Sequence, residues 1–273
     1  MNFTKMTGTG NDFVVIDDRE NNYLGKEKEI ALKLCDRHFS IGGDGVLLVR
    51  KSEKADTKMV IINSDGSRAS MCGNGIRCFA KYVWDEKIVL TNPMTIETDD
   101  GIKKADLKVE DGKAKYVTIN MGKPSLEPST VSEKFDEKIL DKKVNIKNKE
   151  YAITSFHMGV PHTMVFGKLD DYKIEEGKGI EKSDIFKAGT NVNFCEVVNK
   201  NKILVKTWER GAGATLACGT GSCASVIASN LLGYTGKEVE VVVPGGNIFI
   251  EIKEEGILMR GPANTCFRGE IDV

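Results

Sequence analysis

The chain has 273 residues and a mass of 30.0 kDa, too long for a minimal scaffold and suited to one large domain or two small ones. Hydrophobic residues make up 40% and charged residues 29%, the balance of a soluble globular protein. Lys plus Arg is 39 and Asp plus Glu is 40, so the net charge of −1 lacks the basic excess that a nucleic-acid binder needs.

The N-terminus, Met1 to Asp12, lacks the basic-then-apolar order of a signal peptide. No run approaches the ~20 apolar residues of a membrane helix. No membrane partner and a cytoplasmic location are therefore expected. Ile41 to Val49 runs from a loop into an apolar strand. After Cys72, the residues Ile76, Phe79, Ala80 and Val83 recur at the spacing of an amphipathic helix. Asp111-Gly112 reads as a hairpin turn, followed by the alternating strand Val117, Ile119, Met121. Pro124 to Thr130 is looser and marks a domain junction. Gly189 to Val198 again runs from a loop into an apolar strand, and Ile203, Val205 and Thr207 alternate after the polar turn Asn199 to Lys202. After Cys218, apolar residues from Cys223 to Leu232 cover most of a helix circumference, predicting a buried helix that stops at Gly233. Glu238 to Val243 is a β-branched run ended by Pro244-Gly245-Gly246, and Ile248, Ile250 and Ile252 alternate. Curved, mostly antiparallel sheets with few helices are expected.

The chain reads as a duplication. Cys72-Gly73-Asn74-Gly75-Ile76-Arg77-Cys78 resembles Cys218-Gly219-Thr220-Gly221-Ser222-Cys223, 146 residues on. Gly10-Asn11-Asp12-Phe13 pairs with Gly159-Val160-Pro161-His162 at nearly the same offset. A period this long is no solenoid and fits two domains of one fold. The expected class is α+β: two similar domains, pseudo-twofold related, each a curved sheet wrapped around a central helix.

Seven cysteines, an odd number in a reducing compartment, argue against a disulfide framework. Their spacings do not match zinc knuckles, and with three histidines no metal site is expected. Cys72 and Cys218 each precede a glycine-rich turn that opens a helix. Such a start offers unbonded N–H groups and the positive dipole end to a carboxylate or phosphate. The same field should make both thiols more acidic than an ordinary cysteine. Two such loops meeting across a cleft could invert a stereocentre beside a carboxylate, one thiolate removing a proton and the opposing thiol returning one. The helix starts would stabilise the charge pushed onto the carboxylate, with no cofactor required. A cysteine at a helix start is often just a small hydrophobe, but two matched copies favour chemistry. Cys35, Cys78, Cys195, Cys223 and Cys266 read as structural. A methyl-donor site of the methyltransferase kind is the rival from another class, but its turn should follow an apolar strand, and Glu209 to Thr215 is not one. A non-catalytic anion binder would leave the two cysteines unexplained.

These residues resemble the diaminopimelate epimerases over nearly the whole chain. The likeness rests on Gly8-Thr9-Gly10-Asn11-Asp12-Phe13, Asn63-Ser64-Asp65-Gly66-Ser67, the two cysteine motifs, Thr190-Asn191-Val192-Asn193-Phe194 and Trp208-Glu209-Arg210-Gly211-Ala212-Gly213. It implies a cofactor-independent isomerase interconverting LL- and meso-2,6-diaminopimelate, in lysine and cell-wall precursor synthesis, with Cys72 and Cys218 as the acid/base pair. It further implies that Gly73, Asn74, Gly219 and Thr220 hold the reacting carboxylate and that Glu209 and His162 lie near the α-amino group and thiols. Asn11, Asn63, Asn191 and Arg210 would grip the rest of the substrate, Arg210 pairing the distal carboxylate. Domains at 1–118 and 119–263, a tail at 264–273 rejoining the first, and a homodimer also follow from the resemblance. One departure is Val160, where the family often has asparagine. It keeps a related two-cysteine racemase of another amino acid, such as histidine, as the alternative.

Overall fold

The computed structural model describes residues 1–272. The chain divides into two units, Met1–Asn120 with Arg260–Val273, and Met121–Met259.

In the first unit, β1 (Asn2–Gly8) and β2 (Asn11–Asp17) form an antiparallel hairpin. The turn holds Thr9 and Gly10 at positive φ, 51° and 90°. The helix α1 (Glu27–Leu34) then carries the chain to β3 (Gly45–Arg50), parallel to β2. β4 (Thr57–Asn63) runs antiparallel to β3, and the short β5 (Arg68–Ala69) leads into α2 (Gly73–Asp85). β6 (Met94–Thr98) lies parallel to β4, and β7 (Gly101–Glu110) and β8 (Lys113–Asn120) follow antiparallel. Between β7 and β8, Asp111 and Gly112 sit at φ 51° and 73°, the two left-handed residues of a tight hairpin.

The second unit opens with β9 (Ile139–Ile146) and then repeats this order. β10 (Lys149–Met158) and β11 (Val160–Phe166) make the hairpin. A short helix, α3 (Glu176–Glu181), precedes β12 (Asn191–Asn199), parallel to β11. β13 (Lys202–Glu209) is antiparallel to β12, and β14 (Gly213–Thr215) leads into α4 (Gly219–Leu231). Gly233 follows the helix at φ 74°. β15 (Glu238–Val243) lies parallel to β13, with β16 (Gly246–Ile252) antiparallel to it. β17 (Ile257–Pro262) carries the chain back to the first unit, where β18 (Asn264–Glu270) pairs antiparallel with β1.

The strand pattern and pairing thus occur twice, and the class is α+β with two similar domains. Antiparallel pairs predominate, but each unit also contains two parallel pairs, each spanned by a crossover. In the first unit the crossovers contain α1 and α2, which cover opposite faces of the sheet. Hence β3 is buried at all six positions rather than alternating. Val14, Ile16, Val46 and Leu48 pack with Ile30 and Leu34 of α1. On the other face α2 touches β1, β2, β3, β4, β7 and β8, so the sheet curls round it. It inserts Ile76, Phe79, Ala80 and Val83, all fully buried; each of the large side chains is worth roughly 1.5–3 kcal/mol. In the second unit α4 is wrapped by β10, β11, β12, β13, β15 and β16. The far face of that sheet, with Ile153, Val165, Val192 and Phe194, forms a separate cluster with Ile180 and Phe186. Among the described residues no helix is long and apolar enough to cross a membrane.

Candidate active site

Each unit brings its sheet to a cysteine that caps a helix. Cys72 has extended backbone, φ −142°, and its Sγ accepts from the Gly75 N–H at 3.4 Å. The N–H groups of Gly73 and Asn74 belong to the first turn of α2, which has no earlier carbonyl to bond. Asn74 donates from Nδ2 to Asn11 Oδ1 at 2.6 Å, and Asn11 donates in turn to Asp44 at 2.8 Å. The buried Arg77 anchors the other end, donating to Asn74 Oδ1 at 2.9 Å, Thr9 Oγ1 at 2.6 Å and the Gly73 carbonyl at 3.1 Å. A guanidinium can only donate and a carboxylate only accept, so the amides of Asn74 and Asn11 are oriented unambiguously. Asp44 is held by Arg37, which also pairs with Asp12. Asn63 ends β4, exposed, and donates to Ser67 at 2.9 Å.

In the second unit Cys218 is buried and also extended, φ −124°. Its Sγ lies 3.5 Å from Thr220 Oγ1, and Thr220 lies 3.0 Å from His162 Nε2. Glu209, the last residue of β13, is near enough for its negative charge to act on the Cys218 thiol. Asn191 donates to the Pro161 carbonyl and accepts the Arg210 N–H at 2.8 Å. The Arg210 side chain is exposed and donates to the Ala188 carbonyl at 2.8 Å. Asn11, Gly73 and Asn74 therefore gather around Cys72, and His162, Glu209, Gly219 and Thr220 around Cys218. Asn191 and Arg210 join this second group through Pro161, beside His162.

The expectation of an acidic thiol fails at Cys218. Burial and the negative charge of Glu209 raise its pKa well above the ordinary value, against the Thr220 hydroxyl and Gly221 N–H that favour the thiolate. Dipole reasoning missed this because it counts the helix start and not the desolvation around it. His162 is driven down to about 3 by burial, then by His157 and Arg210, so it is neutral near pH 7. Burial lifts Cys78 and Cys195 to about 12 and Cys35 to about 11, consistent with packing roles.

The sequence reading passed over Asp44, Arg77 and Asn193. Arg77 flanks the apolar stripe of its helix, and only the fold shows that it is fully buried. Asn193 stood two residues from Asn191, hence on the same strand face.

Two solved structures share the fold. A hydroxyproline epimerase from Agrobacterium vitis aligns at TM-score 0.71 with 16% identity, over 98% of this chain and 91% of the other. A phenazine biosynthesis protein of the PhzF family from Bacillus anthracis aligns at TM-score 0.72 with 16% identity, over 100% and 99%. The doubled sheet-and-helix architecture is thus the fold of these two proteins. The diaminopimelate epimerase family profile matches residues 3–127 and 154–266. The diaminopimelate epimerase of Clostridium perfringens is 54% identical over 98% of both chains, and that of Caldanaerobacter subterraneus is 48% identical over 100% of both. The chain belongs to the diaminopimelate epimerase family; the methyltransferase and histidine racemase readings are not favoured.

Proposed function

We propose that this isomerase interconverts LL- and meso-2,6-diaminopimelate with Cys72 and Cys218 as its acid/base pair, using no cofactor. The observation that carries the reading is the doubled cysteine-capped helix start, at the same place in two copies of one topology. One thiolate removes the α-proton and the other thiol delivers a proton to the opposite face; the reverse reaction exchanges the roles. The carbanion spreads charge onto the α-carboxylate, which the N–H groups of Gly73, Asn74, Gly219 and Thr220 receive. Glu209 and neutral His162 border the α-amino group, and Asn11, Asn63, Asn191 and Arg210 hold the rest of the substrate. The raised pKa of Cys218 suits it to hold a proton until the carbanion forms. A cytoplasmic location and a homodimer are supported by the family resemblance.

Turnover of LL-diaminopimelate in deuterated water tests the assignment. Cys72→Ser and Cys218→Ser should each lose epimerisation, since a hydroxyl is a far weaker acid and base. Cys195→Ser should keep most of it. Near-normal epimerisation by Cys72→Ser would refute the two-thiol pair.

A further inference from the structure

Asn193 lies within β12, fully buried, with its amide between His162 and the first turn of α4. Its Nδ2 is 3.2 Å from His162 Nδ1, 3.5 Å from the Thr163 carbonyl and 3.8 Å from Met164 Sδ. Its Oδ1 is 3.0 Å from the Thr207 hydroxyl. The Thr163 carbonyl and Met164 sulfur can only accept, so the amide nitrogen belongs on their side. His162 Nδ1 must then accept as well, and the ring proton sits on Nε2. From there it points to Thr220 Oγ1, 3.0 Å away. Having accepted that proton, the Thr220 hydroxyl is left to direct its own at Cys218 Sγ, 3.5 Å away.

We propose that Asn193 is a positioning residue: it sets the direction of a hydrogen-bond chain from Thr207 through Asn193, His162 and Thr220, so that the chain ends as a donor on the Cys218 sulfur. The inference rests on the reading of Cys218 as a reacting thiol. Burial and Glu209 oppose the thiolate of Cys218; the Thr220 hydroxyl and the Gly221 N–H are what favour it. Reversing the chain would remove one of these two donors. His157 and Arg210, the charged or titratable groups acting on His162, both disfavour its protonation and so keep the chain intact near neutrality.

Asn193→Asp is the direct test. An acceptor facing Nδ1 draws the ring proton there, Nε2 becomes an acceptor for the Thr220 hydroxyl, and the sulfur loses its donor. Nitrogen-15 NMR of the full chain, which has three histidines, reads the tautomer. Wild type should show His162 protonated at Nε2, and Asn193→Asp at Nδ1. The pH dependence of iodoacetamide alkylation, followed peptide by peptide, reads the thiols. The Cys218 midpoint should rise by roughly one to two units, the worth of a hydrogen bond to a charged group. Thr220→Val should raise it equally, the double variant no further, and Cys72 should not move. Should Asn193→Asp fail to fold, the wild-type tautomer and Thr220→Val still decide the matter. A wild-type His162 protonated at Nδ1, an unmoved Cys218 midpoint, or equal shifts at both cysteines would overturn the proposal. Neither readout uses turnover, so they remain decisive even if Cys218→Ser shows that the two-thiol reading is wrong.

Discussion

Val160 opens β11 where Asn11 opens β2, and each follows a glycine at positive φ, Gly159 at 74° and Gly10 at 90°. The backbone has kept its geometry while the side chain has changed. Asn11 takes part in a chain from Arg77 to Asp44; Val160 offers packing only. Other equivalent positions have diverged too. Asn63 ends β4 opposite Gly45, and Glu209 ends β13 one residue beyond the Val192–Trp208 pair. Only Glu209 can take a proton from a thiol. Val160→Asn should tighten diaminopimelate binding by about one hydrogen bond, ~0.5–1.5 kcal/mol or roughly two- to twelvefold. The maximal rate should change little, because the contact that the family resemblance implies at this position is to the distal end of the substrate, away from the proton transfer. Isothermal titration and steady-state kinetics separate the two effects. Weaker binding would mean that Val160 already meets an apolar part of the substrate.

The two helix starts look interchangeable in sequence, yet their surroundings differ. A Cβ on Gly75 would sit 3.4 Å from Cys72 Cβ and Leu47 Cδ2, close to ordinary contact. On Gly221 it would lie 2.4 Å from Asn193 Oδ1 and 3.3 Å from Cys218 Sγ. Gly75→Ala should therefore be near neutral for stability, the strain offset by up to ~1 kcal/mol of helix propensity. Gly221→Ala must push Asn193 or the helix aside and should cost about 1–3 kcal/mol. Urea unfolding of the two variants measures the difference, and equal stabilities would contradict it. The helix α4 also shows why composition misleads at this scale. Its buried Ser222 and Ser225 donate to the carbonyls of Cys218 and Gly221, so hydroxyls sit inside an apolar core without loss.

At the scale of the whole molecule, buried charge chemistry sets acid stability. The folded pKa of His162 is about 3, below its ordinary 6.5. Below the ordinary value the unfolded chain takes up a proton that the folded chain refuses. Stability should then fall as pH drops from about 6.5 toward 3. Asp12 acts lower down: against the upward push of partial burial, Arg37 and Lys5 hold it at about 2 rather than 3.8. Its contribution is complete above the ordinary value and lost as pH falls toward 2. Urea midpoints measured from pH 7 to pH 4 should decline in the wild type, and His162→Gln should flatten that decline. Parallel curves for the two proteins would mean that His162 is not held neutral by the fold.

The sequence by itself determined the elements whose signal is local. The Asp111-Gly112 turn, the helices after Cys72 and Cys218, and the stop at Gly233 all follow from φ preference or apolar period. It also determined the duplication, because equal spacing of the two cysteine motifs needs no coordinates to be seen, and the family, because its motifs are contiguous. Only the tertiary structure decided what depends on neighbours distant in the chain. It brought α1 over one face of β3 and α2 over the other, so that the apolar run expected there is buried on both faces. It buried Cys218 beside Glu209 and so reversed the acidity that the helix start alone predicts. It set Asn193 against His162, 31 residues away in sequence, and with it the direction of a hydrogen-bond chain. Desolvation and hydrogen-bond direction are properties of a packed neighbourhood, and no run of residues carries them before the chain has folded.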